Sequence, residues 1–454
     1  MAVTARLCER IAATAYENLG TPAIEAARRL VLDGIAIAVA GTEEEAIRIL
    51  AAHHREQGGG AAQATAIGNG FRLNTVSATA LNGAAMHVLD FEPMWSPANH
   101  ALSTTLAGVL ALAEHLASTG REVLTALVKG VEMQGWIRQA SGQFEARTSR
   151  FHPPGAVGPL GAAVAAGHLL KLDPGQLANA IGIAASRAGS VLANAGTMTK
   201  STHCGHAAAL GLESALLAAR DFSANMAVFE AAQGYVPAFY DDGFKIEEML
   251  NYGRAPFRIV DPGYAIKMFP SQFATHFGIA AGLELRPKIS DARAIHRVVL
   301  TAPVMTYVDR PKPKKGLEGK FSLQYTAAAA LLDGKVGIRT FTDARLAKPD
   351  IQNLLGKFEV HLDPAIPGRF EEMHVLLRVE LHGGRVLETR CNGPRGKWGT
   401  PPISETEHLV KVRDCLATKI EPATAEQIIG LAQRIDNLDA AGVRGMMRLA
   451  GCFA

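Results

Sequence analysis

A carboxylate and an imidazole flank a break between two apolar segments in the stretch from Leu81 to Glu114. On both sides of the break, apolar residues recur at steps of three and four, which predicts a helix on each side. Pro93 and Pro97 interrupt the pattern, because proline lacks a backbone donor and clashes with the preceding turn. Asp90 should therefore end one helix and His100 should begin the next. There the carboxylate can orient the imidazole for acid/base work, although a loop aspartate and a helix-start histidine without a chemical role would show the same spacing.

Lysine and histidine side chains also occupy the predicted starts of two later helices. Lys200 and His203 are three residues apart, so they share one face near the N-terminal end of their helix. A lysine beside a helix terminus can hold a carboxylate, although a surface charge is the simpler interpretation of such a lysine. His152 opens another helix, where unpaired backbone donors favour anions. A histidine that only caps the helix would occupy the same position.

The wider pattern around these residues resembles the MmgE/PrpD family, which includes 2-methylcitrate dehydratase, cis-aconitate decarboxylase and iminodisuccinate epimerase. The family motifs are matched in their usual order, over roughly residues 5 to 440. The matching segments are Leu81-Asn82-Gly83 with His87, Asp90-Phe91, His100, Phe151-His152-Pro153, Gly196–Gly205, Lys267–Pro270 and Phe321–Tyr325. Several motifs in one order are more specific than any one of them, so the chain is identified as a member of this family.

The resemblance implies a chemical role for the matched side chains. Lys200 and Lys267 would be the cations that hold substrate carboxylates. His100, oriented by Asp90, would transfer protons together with His152. All five are expected to lie in one site.

Further contacts with the substrate follow from the same resemblance. Tyr325 would assist by hydrogen bonding to a substrate carboxylate or leaving hydroxyl, unless it is a tyrosine buried at a domain interface. Met94, His203 and Gln272 are expected to contact the substrate. Met94 stands where the family usually has a hydroxyl residue, Gln272 stands near a usual histidine, and Glu92 replaces a loop aspartate. A methionine cannot donate to a carboxylate, but it can contact an alkyl substituent or simply fill space.

Three functions are compatible with these residues. The first is a cofactor-independent lyase, either a dehydratase or a decarboxylase, for a small di- or tricarboxylic acid such as 2-methylcitrate or cis-aconitate. Removing water or CO2 beside a carboxylate needs cations that offset carbanion-like charge and an acid/base pair. An epimerase or isomerase would use the same proton chemistry. A weakly active paralogue that only binds a carboxylate is the third, and the departures at Met94 and Gln272 are compatible with it.

Composition narrows the class of protein. The chain has 454 residues, 48% hydrophobic and 20% charged, which is ordinary for a globular protein with a full core. Its net charge of +3 is too small to predict binding to nucleic acid or to a membrane surface. The five scattered cysteines predict no disulfide framework and no zinc site, and the N-terminus lacks a signal-peptide core, so a cytoplasmic location is expected. The resemblance implies a homodimer that needs neither a metal nor another cofactor.

The hydrophobic pattern divides the chain into two parts. Residues 1–260 and 400–454 show helical spacing, which predicts a large all-helical domain. Residues 261–399 contain alternating β-branched segments and a hairpin signal at His382-Gly383-Gly384, which predicts a smaller α+β domain. The predicted fold class is therefore mainly α with a smaller α+β domain. By resemblance, the α+β domain is a lid and the site lies in the cleft between the two.

Overall fold

The larger part of the protein is a bundle of helices with two very short sheets. A computed structural model describes residues 2–57, 60–144, 150–240 and 243–453. The helices before residue 240 are α1 (Val3–Ala13), α2 (Gly20–Gly41), α3 (Glu45–Glu56), α4 (Thr75–Val88), α5 (Ala101–Leu116), α6 (Gly120–Ala140), α7 (Pro153–Leu169), α8 (Pro174–Ala185), α9 (Thr199–Ala218) and α10 (Tyr235–Phe239). The strand pairs are β1 (Ala64–Ala66) with β2 (Phe71–Leu73), and β3 (Met94–Trp95) with β4 (Tyr264–Ala265), both antiparallel.

The helices that lead to the site are packed unusually close together. Helix α5 is buried from Ala101 to Glu114, so it lies in the centre of the bundle and needs no polar face. Helices α4 and α9 approach so closely that a Cβ on Gly205 would lie 2.1 Å from the carbonyl oxygen of Ala80. Helices α7 and α9 meet in the same way, at Gly211. Only glycine permits such backbone contact, and it places the first turns of α9 beside α4.

The smaller part of the protein is a four-stranded sheet covered by helices. Its strands are β5 (Ile295–Pro303), β6 (Phe358–Asp363), β7 (Val375–Leu381) and β8 (Val386–Cys391), in the order β6-β5-β7-β8. Strand β5 pairs parallel with β6 and antiparallel with β7, and β7 and β8 form the predicted hairpin. The helices of this part are α11 (Thr275–Leu285), α12 (Gly316–Gly319), α13 (Leu323–Asp333), α14 (Asp343–Leu346) and α15 (Pro349–Leu355). Alternate residues of β7 are buried, and this face packs against α11.

The end of the chain returns to the helical part. Its helices are α16 (Glu405–Leu416), α17 (Pro422–Gln433) and α18 (Ala440–Ala450). Helix α16 packs on α2, where the buried Asp33 carboxylate lies between His408 and Lys411. The predicted fold class, mainly helical with a smaller α+β part, is confirmed; the domain boundaries at residues 261 and 399 stay a prediction. None of the described helices combines the length and apolar character that crossing a membrane requires.

Two hydrophobic clusters correspond to these two parts. One collects buried apolar residues of α1 to α9 and α16 to α18, and the other collects those of β5 to β8, α11 and α13. Met94 is a member of the second cluster although its chain neighbours belong to the first. Strand β3, which contains Met94, therefore lies where the two parts meet.

Candidate active site

A cavity of about 370 Å³ lies between the helical part and the α+β part. From the helical part it is lined by the loop after α4 and by the starts of α5, α7 and α9. From the α+β part it is lined by the segments around residues 304–307 and 368–370 and by Phe321. The predicted site residues in its wall are Asp90, Met94, His100, His152, Lys200 and Gln272. The structure therefore brings together side chains that are as far apart in sequence as residues 90 and 272.

Asp90 holds two lysines at one edge of the cavity. It follows the last turn of α4 with φ of +50°, a left-handed conformation that aspartate tolerates better than most residues. One carboxylate oxygen lies 3.1 Å from Nζ of Lys200, and the other pairs with Nζ of Lys267. Lys267 is fully buried and also donates to the carbonyl oxygens of Asp90 at 3.0 Å and Ser271 at 3.1 Å. Burial by itself would raise the pKa of Asp90, but Lys200 and Lys267 outweigh it and lower the pKa well below its ordinary value.

Glu92, rather than Asp90, is the carboxylate beside His100. Its Oε1 lies 3.5 Å from Nδ1 of His100, and the same side chain accepts hydrogen bonds from the backbone N–H and the hydroxyl of Ser103, at 2.9 and 2.7 Å. The sequence-based expectation that Asp90 orients His100 is thus corrected: the two lysines occupy the Asp90 carboxylate. Burial raises the pKa of Glu92 to about 7, although the bonds from Ser103 act in the opposite direction.

His87 connects these two carboxylates and was not among the predicted site residues. Its Nδ1 lies 2.7 Å from Oε1 of Glu92, and its Nε2 lies 2.8 Å from Nζ of Lys200. Because an ammonium group can only donate, Nε2 accepts and Nδ1 carries the proton that is donated to Glu92. The signal for His87 was present, since it belongs to the matched Leu81–Asp90 motif. Glu92 stands two residues beyond that segment, where the family usually has an aspartate.

Three further histidines cluster with His87 at the cavity, and the rings of His87 and His152 are also 5.6 Å apart between centroids. The ring centroids are 4.5 Å apart for His87 and His100, 5.8 Å for His100 and His152, and 5.3 Å for His152 and His203. Burial, together with the charge of Lys200, lowers the pKa of His87, His100 and His152 well below the ordinary value. The same two causes lower the pKa of His203 to about 4. At neutral pH these imidazoles are therefore uncharged until a ligand brings negative charge to them.

Donor atoms of His87, His100 and His152 lie within 4.8 Å of one another, which is close enough for a metal ion. Their surroundings do not suit one, since both nitrogens of His87 are engaged by Glu92 and Lys200. The Lys200 ammonium would also repel a cation at that point. The cluster therefore suits an anionic ligand better than a metal, and the absence of a metal stays a prediction.

Tyr325 does not reach the cavity. It lies in α13, fully buried, and its hydroxyl donates to the carbonyl oxygen of Thr340 within the α+β part. The predicted role of Tyr325 is therefore corrected, because its hydroxyl is committed to the core. The tyrosine that lines the cavity is Tyr307, whose hydroxyl accepts a hydrogen bond from Nε2 of Gln272 at 3.0 Å. No motif used in the sequence analysis included Tyr307.

Of the remaining predicted residues, some line the cavity and others lie behind a residue that does. Met94 and Gln272 line the cavity, and Oε1 of Gln272 accepts from the backbone N–H of Ala274 at 2.6 Å. His203 lies behind His152, with 3.3 Å between their Nδ1 atoms. Lys267 lies behind Asp90. His203 and Lys267 thus act on the described cavity through a neighbour.

The Glu92→Gln substitution should make stability less dependent on pH. A folded-state pKa of about 7, against an ordinary 4.5, means that Glu92 contributes stability that is fully present below pH 4.5 and lost as pH rises through 7. At about 1.4 kcal/mol per pH unit, the loss across this window is about 3 kcal/mol. Urea unfolding at pH 4.5 and pH 8 measures it. The natural chain should lose this much stability between pH 4.5 and pH 8, and the variant should not. The difference in unfolding free energy between the two proteins should therefore shift by about this amount in favour of the variant.

Glu132 provides a matched control for that measurement. Burial raises its pKa to about 7 as well, but it lies outside the cavity wall and accepts from the backbone N–H groups of Arg258 and Gly253. Glu132→Gln should flatten the same pH dependence. If Glu132→Gln does so and Glu92→Gln does not, Glu92 is not a buried acid of the kind described.

Comparison with known proteins agrees with the sequence resemblance. Sequence models of the MmgE/PrpD N-terminal domain and of the MmgE/PrpD C-terminal domain match residues 5–247 and 269–437. The chain is 30% identical over 431 residues to the cis-aconitate decarboxylase of Mus musculus, covering 92% of this chain and 88% of that protein. It is 30% identical to the cis-aconitate decarboxylase of Homo sapiens, covering 92% and 89%. It is 24% identical to the 2-methylcitrate dehydratase of Cupriavidus necator, covering 82% and 81%.

These matches extend over both parts of the fold and over every segment that lines the cavity. Decarboxylases and dehydratases of this kind both cleave a bond to carbon without hydrolysis or oxidation, so the chain is an enzyme of the lyase class. Together, the two domain matches and the two relatives at 30% identity show that the chain belongs to the MmgE/PrpD family.

Proposed function

We propose that this lyase decarboxylates a small unsaturated tricarboxylate of the cis-aconitate type, without a cofactor. The observation that carries the proposal is the position of Lys200, paired with Asp90 in the wall of a cavity that His100 and His152 also line. A cation and neutral imidazoles in one enclosed cavity can bind a carboxylate and move a proton at an adjacent carbon. The names of the two relatives at 30% identity, both cis-aconitate decarboxylases, support the same substrate class.

The proposed reaction consumes one proton and no electrons. The bond between the CH₂ carbon of cis-aconitate and its carboxylate breaks, and CO2 leaves. The electron pair of that bond forms a new terminal C=C, while the former alkene CH carbon takes up a proton. The products are CO2 and 2-methylenesuccinate, so no oxidant, reductant or co-substrate is required.

Lys200 would stabilise the negative charge that develops during this step. Its Nζ lies 3.1 Å from Asp90 and 2.8 Å from Nε2 of His87, so its position is set before the substrate arrives. A cation that is already oriented gains more from the transition-state charge than one that must reorganise. Lys267, behind Asp90, would add to the positive potential without contacting the substrate.

His100 would deliver the proton. It is uncharged in the empty cavity, but a bound polyanion opposes the effect of burial and Lys200 and raises its affinity for a proton. Glu92, with a pKa of about 7 and its Oε1 3.5 Å from Nδ1 of His100, is the adjacent group that can resupply it. His152, 5.8 Å from His100 between ring centroids, would bind a carboxylate or act as a second proton donor.

Dehydration of 2-methylcitrate is the second candidate. Met94 places an apolar side chain in the cavity wall, where it can contact a methyl substituent, and a 2-methylcitrate dehydratase is among the relatives. The same lysines and histidines would serve. A proton would leave the carbon beside a carboxylate and hydroxide would leave the neighbouring carbon, giving water and a new C=C.

A proton NMR time course in deuterated water tests these reactions. The purified protein is mixed with cis-aconitate, 2-methylcitrate, citrate or trans-aconitate, one at a time. We expect cis-aconitate to give 2-methylenesuccinate with deuterium on the former alkene carbon. An alkene formed only from 2-methylcitrate would replace the decarboxylase with the dehydratase. Deuterium exchange or inversion without bond cleavage would instead indicate an isomerase, and no change with any acid would contradict the proposed function.

A further inference from the structure

The cavity contains a buried arginine that the reaction above does not use. Arg138 lies in the last turn of α6, is only 4% exposed and forms part of the cavity wall. Gln134, one helical turn earlier on the same face, donates to Thr105 at 2.8 Å and accepts from Nδ2 of Asn99 at 3.0 Å. This face of α6 therefore packs against the loop and first turn that carry His100.

We infer that Arg138 binds a second carboxylate of the substrate, in the same cavity as Lys200, and so restricts this enzyme to acids with at least two carboxylates. The inference rests on the proposed function for the chemistry at Lys200 and His100, and it adds the residue that recognises the rest of the substrate.

Among the residues that the structure describes, the buried Arg138 guanidinium has one hydrogen-bond acceptor, the carbonyl oxygen of Gln143, at 2.5 Å. Within the described ranges, its Nε is buried without an acceptor, and no carboxylate lies within 4 Å of the group. A buried cation that lacks a counter-ion is costly to fold, and burial accordingly lowers the pKa of Arg138. An anionic ligand would remove that cost.

A second unpaired polar atom points to a ligand in the same cavity. Oδ1 of Asn99 is also buried without a hydrogen-bond partner in the described part of the chain, and Asn99 lines the cavity with Arg138. Buried polar atoms in folded proteins are nearly always paired. Two such atoms, on Asn99 and Arg138, indicate that a polar molecule completes the site.

The charges and the apolar wall define the shape of that molecule. Lys200 and Arg138 are two cations in the wall of the same cavity, so each could pair with a separate carboxylate of one ligand. Met94, Leu192, Met305 and Phe321 form an apolar part of the wall. A hydrocarbon segment with a carboxylate at each end matches this arrangement. The planar guanidinium can bind its carboxylate through two parallel hydrogen bonds.

Calorimetric binding of two inert acids tests the role of Arg138 without turnover. Tricarballylate has three carboxylates but neither the C=C nor the hydroxyl needed for reaction; butyrate has one carboxylate. The proteins compared are the natural chain, Arg138→Gln, Arg138→Lys and the control Arg28→Gln. Among the described residues, the Nε of Arg28 is also buried without a partner, but Arg28 pairs with Asp436 and does not line the cavity.

We expect Arg138→Gln to weaken tricarballylate binding by about 10- to 100-fold, the usual effect of losing a charge-assisted hydrogen-bond pair. Arg138→Lys keeps the charge but not the paired geometry, so its loss should be intermediate. Arg28→Gln should bind tricarballylate as the natural chain does. Butyrate binding should change by less than about 2-fold in any variant, because one carboxylate is enough for Lys200. If Arg138→Gln does not fold, the difference in tricarballylate affinity between the natural chain and Arg138→Lys still tests the inference.

Equal tricarballylate affinity in the natural chain and the Arg138 variants would overturn the inference, and so would the absence of tricarballylate binding to the natural chain. An equal loss for butyrate and tricarballylate would also overturn it, since Arg138 would then affect the site as a whole. The NMR assay decides the proposed reaction separately. Formation of product by the natural chain, with no effect of Arg138 on binding, would leave the reaction in place and remove only this role.

Discussion

The His100→Gln substitution is expected to lower kcat by about 100- to 10,000-fold, the contribution typical of a positioned proton donor. His100 lines the cavity at the start of α5, with Nδ1 3.5 Å from Glu92. Glutamine is similar in size and polarity but cannot transfer a proton at neutral pH. We expect KM to change much less than kcat, because Lys200 and the other cations remain. Rates of CO2 release from cis-aconitate measure both constants.

The fold should tolerate this change, which makes the result interpretable. The His100 side chain makes no capping hydrogen bond to α5, and its Nδ1 has no hydrogen-bond partner among the described residues. His206→Gln is the control, since His206 is an exposed histidine on α9. The control should keep full activity. If His100→Gln stays within about 3-fold of the natural chain while His152→Gln loses activity, the proton donor is His152 and the role given to His100 is wrong.

The Lys267→Met substitution is expected to lower the free energy of unfolding by about 3–5 kcal/mol, as is usual when one partner of a buried ion pair is removed. Lys267 is fully buried, and its Nζ donates to the carboxylate of Asp90 and to the carbonyl oxygens of Asp90 and Ser271. Methionine fills a similar volume but satisfies none of these acceptors. Urea unfolding at pH 7 measures the loss.

A double-mutant cycle separates the ion pair from the rest of this loss. Asp90→Asn removes the charge that Lys267 compensates, so Asp90→Asn with Lys267→Met should cost less than the sum of the single changes, by about 0.5–3 kcal/mol. Lys245→Met is the surface control, because Lys245 is exposed and forms an i,i+3 pair with Glu248 at the surface. If the losses of unfolding free energy at positions 90 and 267 simply add, the two charges do not stabilise each other. That result would contradict the ion pair seen in the structure.

Local sequence patterns predicted the elements around the site well. The two prolines between Asp90 and His100 end one helix and delay the next, and the structure has α4 ending at Val88 and α5 beginning at Ala101. Likewise, Asp173-Pro174 predicts the start of α8, and the alternating segments after residue 294 predict the strands of the sheet. Such patterns succeed because caps, proline breaks and hydrophobic periods act over only a few residues.

The partners of the site side chains were predicted less well. Asp90 was expected to orient His100, yet the structure pairs Asp90 with Lys200 and Lys267 and puts Glu92 beside His100. The spacing of ten residues between Asp90 and His100 shows that they can meet but not which atoms do. The partner of Asp90 was decided by Lys200, which lies more than a hundred residues further along the chain. The close packing of α4 and α9 at Gly205 brings Lys200 to Asp90.

By itself, the sequence determined the family, the mainly helical fold class, the break that carries Asp90 and His100, and the set of lysines and histidines available for chemistry. Only the tertiary structure decided that Tyr307 rather than Tyr325 faces the cavity, and that His87 links Glu92 to Lys200. It alone also decided that Arg138 is buried there with no counter-ion among the described residues. The physical reason is that burial and electrostatic pairing depend on which distant elements pack together, whereas helix and strand signals are properties of the local chain.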